Sequence, residues 1–286
     1  MESGIGSSLV FSIRVIAVIR GKSGLYLLIS PKINSAMRYF IQLSYDGTNY
    51  HGWQIQQNAR SVQEEVEKAL TMIAREKVEV VGAGRTDTGV HASFYIAHFD
   101  SNLQSLADEK TVFRLNCLLP DDIAVQKIYQ VRPDAHARFD ATYREYKYYI
   151  SRNKDPFTFK YAERENRELD VAKMNEVAHA LYEYNDFTSF SKLGSDVKTN
   201  NCRIYKALWE DMGDHLIFTV RADRFLRNMV RAIVGTLMEV GLGKMNLEEF
   251  RAVIEKKDRS SAGTSVAAKG LFLVEIGYPD VTIQQL

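Results

Sequence analysis

Two cysteines in 286 residues, Cys117 and Cys202, cannot build a disulfide framework or a four-ligand zinc site of the common kind. Both read as small buried hydrophobes in a reducing, cytoplasmic setting. Five prolines and 17 glycines exclude a collagen-like or proline-rich chain. Net charge is nearly absent, because 37 Lys and Arg stand against 36 Asp and Glu, leaving +1. Such a balance does not exclude a nucleic-acid partner; it requires any basic surface to be offset by acid elsewhere. Also missing is an apolar run of about 20 residues, the length a membrane span needs. The N-terminal candidate, residues 9–19, is broken by Arg14 and followed by Arg20 and Lys22, and it lacks the clean core and cleavage site of a secretion signal. What remains is ordinary for a globular chain: 45% hydrophobic and 26% charged, enough apolar matter to exclude disorder throughout.

A strand pattern begins at Met37. Residues 1–36 are therefore expected to be an N-terminal extension, poorly ordered or a mis-assigned start, with Met37 the biological one. Tyr39, Ile41, Leu43 and Tyr45 alternate as in a half-buried strand. Ser61 and Glu64 form a capping-box pattern ahead of Val62, Val66, Leu70 and Ile73, which predicts a helix over 61–76. Strands are expected at 78–81, 93–99, 123–129, 145–151 and 271–278, and a hairpin joins 208–211 to 215–221 across Met212-Gly213-Asp214. Asp170 starts a helix through Tyr182, Phe225 starts one through Val240 that Gly241 stops, and Asn246 with Glu249 caps another. Mixed hairpin-length and helix-length connections predict an α+β fold with a mixed or antiparallel sheet carrying helices on one side. The two halves, 37–140 and 141–286, share this rhythm without obvious sequence identity.

The most unusual stretch is Gly82 to Ala92, a glycine-rich turn holding Arg85 and Asp87 two positions apart. A dinucleotide or phosphate loop does not fit, since the glycine spacing is wrong and no Lys-Ser/Thr closes it. Asp87-Thr88-Gly89 is also the tripeptide of aspartic proteases. That chemistry needs two carboxylates sharing a proton, and no second Asp-Thr/Ser-Gly exists in the chain. The remaining readings are a single carboxylate used as a nucleophile beside an arginine, or one that merely bonds its own turn.

The stretch Gly84-Arg85-Thr86-Asp87-Thr88-Gly89-Val90-His91 resembles the active-site motif of the tRNA pseudouridine synthase A family. Tyr45-Asp46-Gly47-Thr48-Asn49-Tyr50-His51-Gly52-Trp53-Gln54 resembles that family's opening strand and turn, and Ser61-Val62-Gln63-Glu64 its first helix start. Leu115-Asn116, Leu119 to Ile123, His136-Ala137-Arg138-Phe139, Asn185 to Phe190 and Phe225 to Gly241 follow in family order, so the likeness runs from Met37 to about Pro279. Two departures stand out: Thr88 replaces the usual Ala, and Ser265 to Lys269 lacks the usual Ala-Pro before Gly270-Leu271.

The resemblance implies a pseudouridine synthase fold: two ferredoxin-like α/β halves forming a mixed, mostly antiparallel central sheet, with flanking helices and a central cleft. It implies an isomerase that turns uridine into pseudouridine at positions 38, 39 and 40 of the tRNA anticodon stem-loop. The reaction is redox-neutral and needs no cofactor, and no metal ligands are expected. Asp87 corresponds to the catalytic carboxylate and Arg231 to its basic partner. Tyr146 corresponds to the tyrosine that contacts substrate. Arg85 matches the arginine that fills the space left by the flipped base. A basic surface is expected from Arg132, Arg138, Arg144, Lys147, Arg152, Lys154 and Lys160, with Arg221, Arg224, Arg227 and Arg231, and the arginine–tyrosine interleaving at 144–149 suits RNA. Arg224, Asn228 and Arg231 are expected on one helix face, opposite the apolar stripe. His91 reads as packing its turn. The resemblance further implies a cytoplasmic homodimer with no membrane attachment. The competing class is a catalytically inactive relative that binds tRNA as a chaperone. Deleting residues 1–36 is expected to leave both the melting temperature and the activity of the remainder unchanged, and a large loss of either would show that the segment belongs to the fold.

Overall fold

Register in this molecule follows the apolar alternation, beginning with β3 (Met37–Tyr45), where Tyr39, Ile41, Leu43 and Tyr45 are all buried. The computed structural model describes residues 13–21, 24–31, 36–192, 194 and 199–279. Within the expected extension, Ile13–Gly21 (β1) and Gly24–Pro31 (β2) pair antiparallel; residues 1–12, 22–23 and 32–35 of it lie outside the described residues. Contacts divide the chain after Ala36.

From Met37 onward one nine-stranded sheet forms. Its members after β3 are β4 (Val80–Gly82), β5 (His91–Ser101), β6 (Ile123–Gln130), β7 (Tyr143–Ser151), β8 (Glu163–Arg164), β9 (Ile204–Asp211), β10 (His215–Ala222) and β11 (Leu271–Gly277). The order is β6-β3-β5-β11-β7-β10-β9, with β4 added to β5 and β8 to β7. Only β5–β11 and β7–β8 are parallel. With five α-helices among the described residues, α1 (Val62–Ala74), α2 (Glu109–Leu118), α3 (Val171–Ala178), α4 (Met229–Gly241) and α5 (Leu247–Glu255), the fold is α+β with a mixed, mostly antiparallel sheet, as expected.

Local chemistry corrects several boundaries. At α1 only half of the capping box forms: Ser61 Oγ accepts the Glu64 N–H at 3.3 Å, while the Glu64 carboxylate pairs with Lys68 at 2.7 Å. At α5 both halves form. α2 escapes the periodicity reading. It carries Cys117 on its outer side, so that cysteine is exposed rather than buried; Cys202 is buried. α4 begins at Met229, not Phe225, because Asn228 adopts a left-handed conformation (φ 66°) that no helix interior admits. Eleven of its 13 residues are buried, so it is a core helix rather than a two-faced one. It ends in a Schellman motif through Gly243 (φ +68°): the Gly243 N–H reaches Val240 O and the Lys244 N–H reaches Glu239 O, each at 2.9 Å. Gly241 does not stop the helix. It is its last residue, and a Cβ there would stand 2.5 Å from Met174 Sδ of α3.

Buried side chains form two clusters. One gathers β3, β5, α1 and Leu115 of α2; the other gathers β7, β9, β10 and α3 to α5. Between them β5 and β11 pair at only two positions, His91↔Phe272 and Ala92↔Leu273. Beyond those, β5 pairs with β4 at 97–99 while β11 continues along β7. The sheet therefore forks. The loop from β4 to β5 springs from the fork, and Tyr146 packs against both clusters.

Histidines record how tightly this is packed. His98 on β5 is 5% exposed, and its Nδ1 accepts the Ala137 N–H at 3.1 Å. Burial first, then the neighbouring His136 and Arg38 charges, push its pKa down to about 4. His91 and His136 are also lowered, burial being the main cause in each. A histidine with a depressed folded pKa binds protons more readily when unfolded. Its contribution to stability is full above the unfolded value near 6.5 and is lost progressively as pH falls toward the folded value. The urea midpoint is expected to decline between pH 7 and pH 4.5, and His98→Gln, which keeps an acceptor for Ala137, should flatten that decline. An unchanged slope in the variant would discard His98 as its source.

Candidate active site

The loop from β4 to β5 is held by what lies under it. Tyr45, Trp53 and Tyr95 form an aromatic layer, with Trp53 and Tyr95 stacked at 4.1 Å and Tyr45 edge-on to Tyr95 at 5.6 Å. Their polar ends reach the loop: the Tyr95 hydroxyl donates to Gly84 O, and the Tyr45 hydroxyl pairs with Thr86 Oγ1 at 2.9 Å. Burial raises the pKa of both phenols, so each stays protonated as a structural hydrogen-bonding group. The segment after β3 then lies against the loop backbone. A Cβ at Gly47 would meet Val90 O at 2.0 Å. One at Gly52, whose φ is +87°, would meet Thr86 O at 2.2 Å. Gly89 N–H donates to Tyr50 O, and Val90 N–H closes the turn on Asp87 O at 3.1 Å.

His91 locks the other end. Its Nδ1 accepts the Gly47 N–H at 3.1 Å, and its Nε2 faces Lys269 O at 3.1 Å. Burial lowers the pKa of the imidazole and so disfavours its charged form, although Asp46 Oδ1 lies 3.0 Å from Nδ1. It packs the turn, as expected.

Asp87 is thereby fixed at the fork with its carboxylate 29% exposed. Among the described residues nothing donates a hydrogen bond to either oxygen, so this carboxylate does not bond its own turn. Two guanidinium groups approach it from the other half: Arg227 Nε at 3.8 Å from Oδ1 and Arg231 Nη1 at 4.0 Å from Oδ2. Both lie beyond hydrogen-bond distance and within reach of an ion pair. Arg231 is itself anchored, because its Nε donates to Val266 O at 2.7 Å and its carbonyl accepts the Val266 N–H. The same crossing segment is tied by Asn228 Nδ2 to Ser265 Oγ (2.6 Å) and by the Tyr148 hydroxyl to Ala267 O (2.9 Å). The chain thus holds this segment without the family's proline. Thr88 is exposed, and its hydroxyl makes no hydrogen bond among the described residues.

Tyr146 lines the same region, its ring edge-on to Phe225 at 5.1 Å. Burial pushes its phenol up to about 12; Arg144 pulls the value down, and the negative charge of Asp87 adds to the rise. It is a neutral phenol at neutral pH. Arg85 is exposed and makes no hydrogen bond or ion pair among the described residues. The fold therefore brings Asp87, Tyr146 and Arg231 together and adds Arg227, which was read only as part of the basic surface. The expected face of Arg224, Asn228 and Arg231 does not exist, since the first two precede the helix.

The basic surface also needs correction. Arg132 pairs with Asp134 and Asp140, and Arg152 with Asp211. Arg221 pairs with Glu145 and Glu275 over the Tyr143 ring. Arg144 turns inward onto backbone carbonyls. On β7, alternation sets Arg144 and Tyr146 on one face and Glu145 and Lys147 on the other, so Arg144 stays beside Tyr146 while Lys147 does not share its face.

A sequence profile described as tRNA pseudouridine synthase matches residues 42–140 and 178–279. The chain belongs to this family. Relatives bear the family's name: tRNA pseudouridine synthase A of Bacteroides thetaiotaomicron is 60% identical over 247 residues, covering 85% of this chain and 91% of its own. That of Bacteroides fragilis is 56% identical over 246 residues, covering 86% and 98%. That of Bacillus subtilis is 40% identical over 246 residues, covering 85% and 99%. The match spans both sides of the fork, including the loop of Asp87 and the helix of Arg231.

One glycine beneath the loop and one within it give the geometry a direct check. Gly52→Ala is expected to destabilise the protein by about 2 kcal/mol or more, from left-handed strain and the clash with Thr86 O. That corresponds to a melting temperature lower by about 5 °C. Gly84→Ala, where a Cβ meets nothing within 4 Å, should melt like the parent. Equal melting of Gly52→Ala and parent would contradict the close approach.

Proposed function

We propose that this chain isomerises uridine to pseudouridine in tRNA, at positions 38, 39 and 40 of the anticodon stem-loop, with Asp87 as the nucleophile. The observation that carries the reading is the Asp87 carboxylate itself: accepting no hydrogen bond among the described residues, opposed by Arg227 and Arg231, on a loop at the fork of the sheet. In the reaction the C1′–N1 bond breaks, the base turns, and C1′ joins C5. The C5 proton leaves and N1 is protonated, so no electrons are gained or lost. An ionised carboxylate beside the sugar–base junction is what such a reaction asks of a protein. Arg227 and Arg231 hold that charge in place and strengthen as the bound nucleoside displaces water.

A uridine within a stem or loop must leave its stack first. Tyr146 offers the everted base an aromatic surface, a contact worth about 1–3 kcal/mol in comparable sites. Arg85, exposed and without an ion-pair partner among the described residues, is free to enter the space the base vacates. Halves 37–140 and 141–286 contribute the carboxylate and its cations respectively. We infer that the protein works as a homodimer in the cytoplasm, where its tRNA substrate resides.

The reading is tested by release of tritium from C5-labelled uridine in tRNA. Asp87→Asn is expected to abolish release while leaving tRNA affinity within a few-fold of the parent. Release at the parental rate from the variant would remove Asp87 from the chemistry. A parent that binds tRNA and releases nothing would favour the inactive chaperone.

A further inference from the structure

Arg144 is the one arginine of the expected basic surface whose two terminal nitrogens both donate to backbone alone. Nη1 donates to Asp223 O at 2.9 Å and Ala141 O at 3.1 Å; Nη2 donates to Ala83 O at 2.9 Å and Arg138 O at 2.6 Å. These carbonyls come from separate stretches. Ala83 begins the loop that carries Asp87. Arg138 and Ala141 belong to the crossover between the halves. Asp223 follows β10 and leads through Arg227 into α4. We propose that Arg144 is a positioning residue that sets the gap between Asp87 and the Arg227–Arg231 pair by tying the start of the Asp87 loop to the approach of α4. The inference rests on the assignment of Asp87 and Arg231 made above.

The topology explains why such a tie is needed. β5 and β11 share two pairs and then part, so no ladder crosses the fork where the loop begins. The two halves would otherwise meet there through side chains alone. Arg144 sits on β7 opposite Ala222 of β10 and Ile276 of β11, and it reaches across the opening to Ala83. Its fork of donors replaces the missing ladder bonds. A lysine cannot do the same, since one nitrogen with three donors cannot reach four carbonyls around a plane.

The charge is the second argument. Among the described residues no carboxylate pairs with Arg144. A half-buried cation compensated only by carbonyl dipoles is a costly way to join two segments if joining is all it does. A carboxylate partner there would add a negative charge at Ala83, the start of the Asp87 loop, in competition with Asp87 for cations. Carbonyl oxygens hold the guanidinium without that competition.

The test compares the full-length parent with Arg144→Lys and Arg144→Ala in tritium release from tRNA, alongside backbone hydrogen exchange and melting. Arg144→Lys is expected to lower kcat by about 10–100-fold with KM within about threefold, the signature of misplaced catalytic groups rather than lost binding. Guanidinium chloride at tens of millimolar should restore Arg144→Ala saturably, while equal sodium chloride should not. Amides 84–90 and 224–228 should exchange faster together in both variants, with β3 unchanged. A parental kcat in Arg144→Lys, a loss of kcat that merely tracks the unfolded fraction, or faster exchange in neither segment or only one would overturn the proposal. If the parent releases no tritium from tRNA, the functional assignment fails instead, and the paired exchange change still decides whether Arg144 couples the two segments.

Discussion

Among the described residues no group donates a hydrogen bond to the Asp87 carboxylate, which stands about 4 Å from two guanidinium groups. Left to relax, flexible side chains would close that gap into direct bonds, and the local turn would offer amide donors as in any Asx turn. Here packing holds the loop backbone and Arg231. The loop backbone is pressed from beneath by Gly47 and Gly52, bound at Gly84 and Thr86 by phenols, and closed by His91. On the other side Arg231 is committed through Nε to Val266 O, so only its outer nitrogens face Asp87. Bonds made elsewhere fix the loop of Asp87 and Arg231, while Arg227 reaches the carboxylate from an exposed position. At about 4 Å in water such a pair is worth ~1 kcal/mol, and it gains strength when a ligand displaces the solvent. The site therefore costs the free protein little and becomes electrostatically sharper on binding.

The same logic explains the division of the molecule. The two apolar clusters meet along β11, whose Leu273 and Ile276 join the cluster of β3 and β5 while Leu271 joins the other. The short parallel pairing of β5 with β11 fixes their relative register at His91 and Ala92, directly after the loop of Asp87. Tyr146, packed against both clusters, stands where the halves join.

Legibility in the sequence followed physical strength of signal. Strand alternation in β3 and the apolar spacing of α1 locate those elements because Tyr39, Ile41, Leu43 and Tyr45, and Val62, Val66, Leu70 and Ile73, each fill one buried face, even though Phe40 buries the other side of β3 too. α2 is hidden because its outer side carries apolar residues too: Phe113 is 68% exposed and Leu118 42%. The start of α4 is misread because Phe225 and Leu226 continue the apolar spacing through a turn, and only the backbone conformation of Asn228 marks the break. Asp87 is legible through the length of its motif. Arg227 is not, since a run of arginines gives charge without direction, and the turn before α4 decides which of them faces the loop.

Direction also decides what the arginines are for. Of the basic residues expected to meet RNA, Arg132, Arg152 and Arg221 are paired with carboxylates and Arg144 with carbonyls, while Arg227 and Arg231 face Asp87. Arg138, Lys147, Lys154, Lys160 and Arg224 make no ion pair among the described residues. With fewer free charges, less of the binding free energy can come from neutralising phosphates, each of which would steepen the salt dependence. More must come from shape and stacking, to which the near-neutral overall charge is indifferent. The chain thus commits Arg132, Arg152, Arg221 and Arg144 to bonds within its own structure, and charge counted along the sequence overstates the charge left to meet a phosphate.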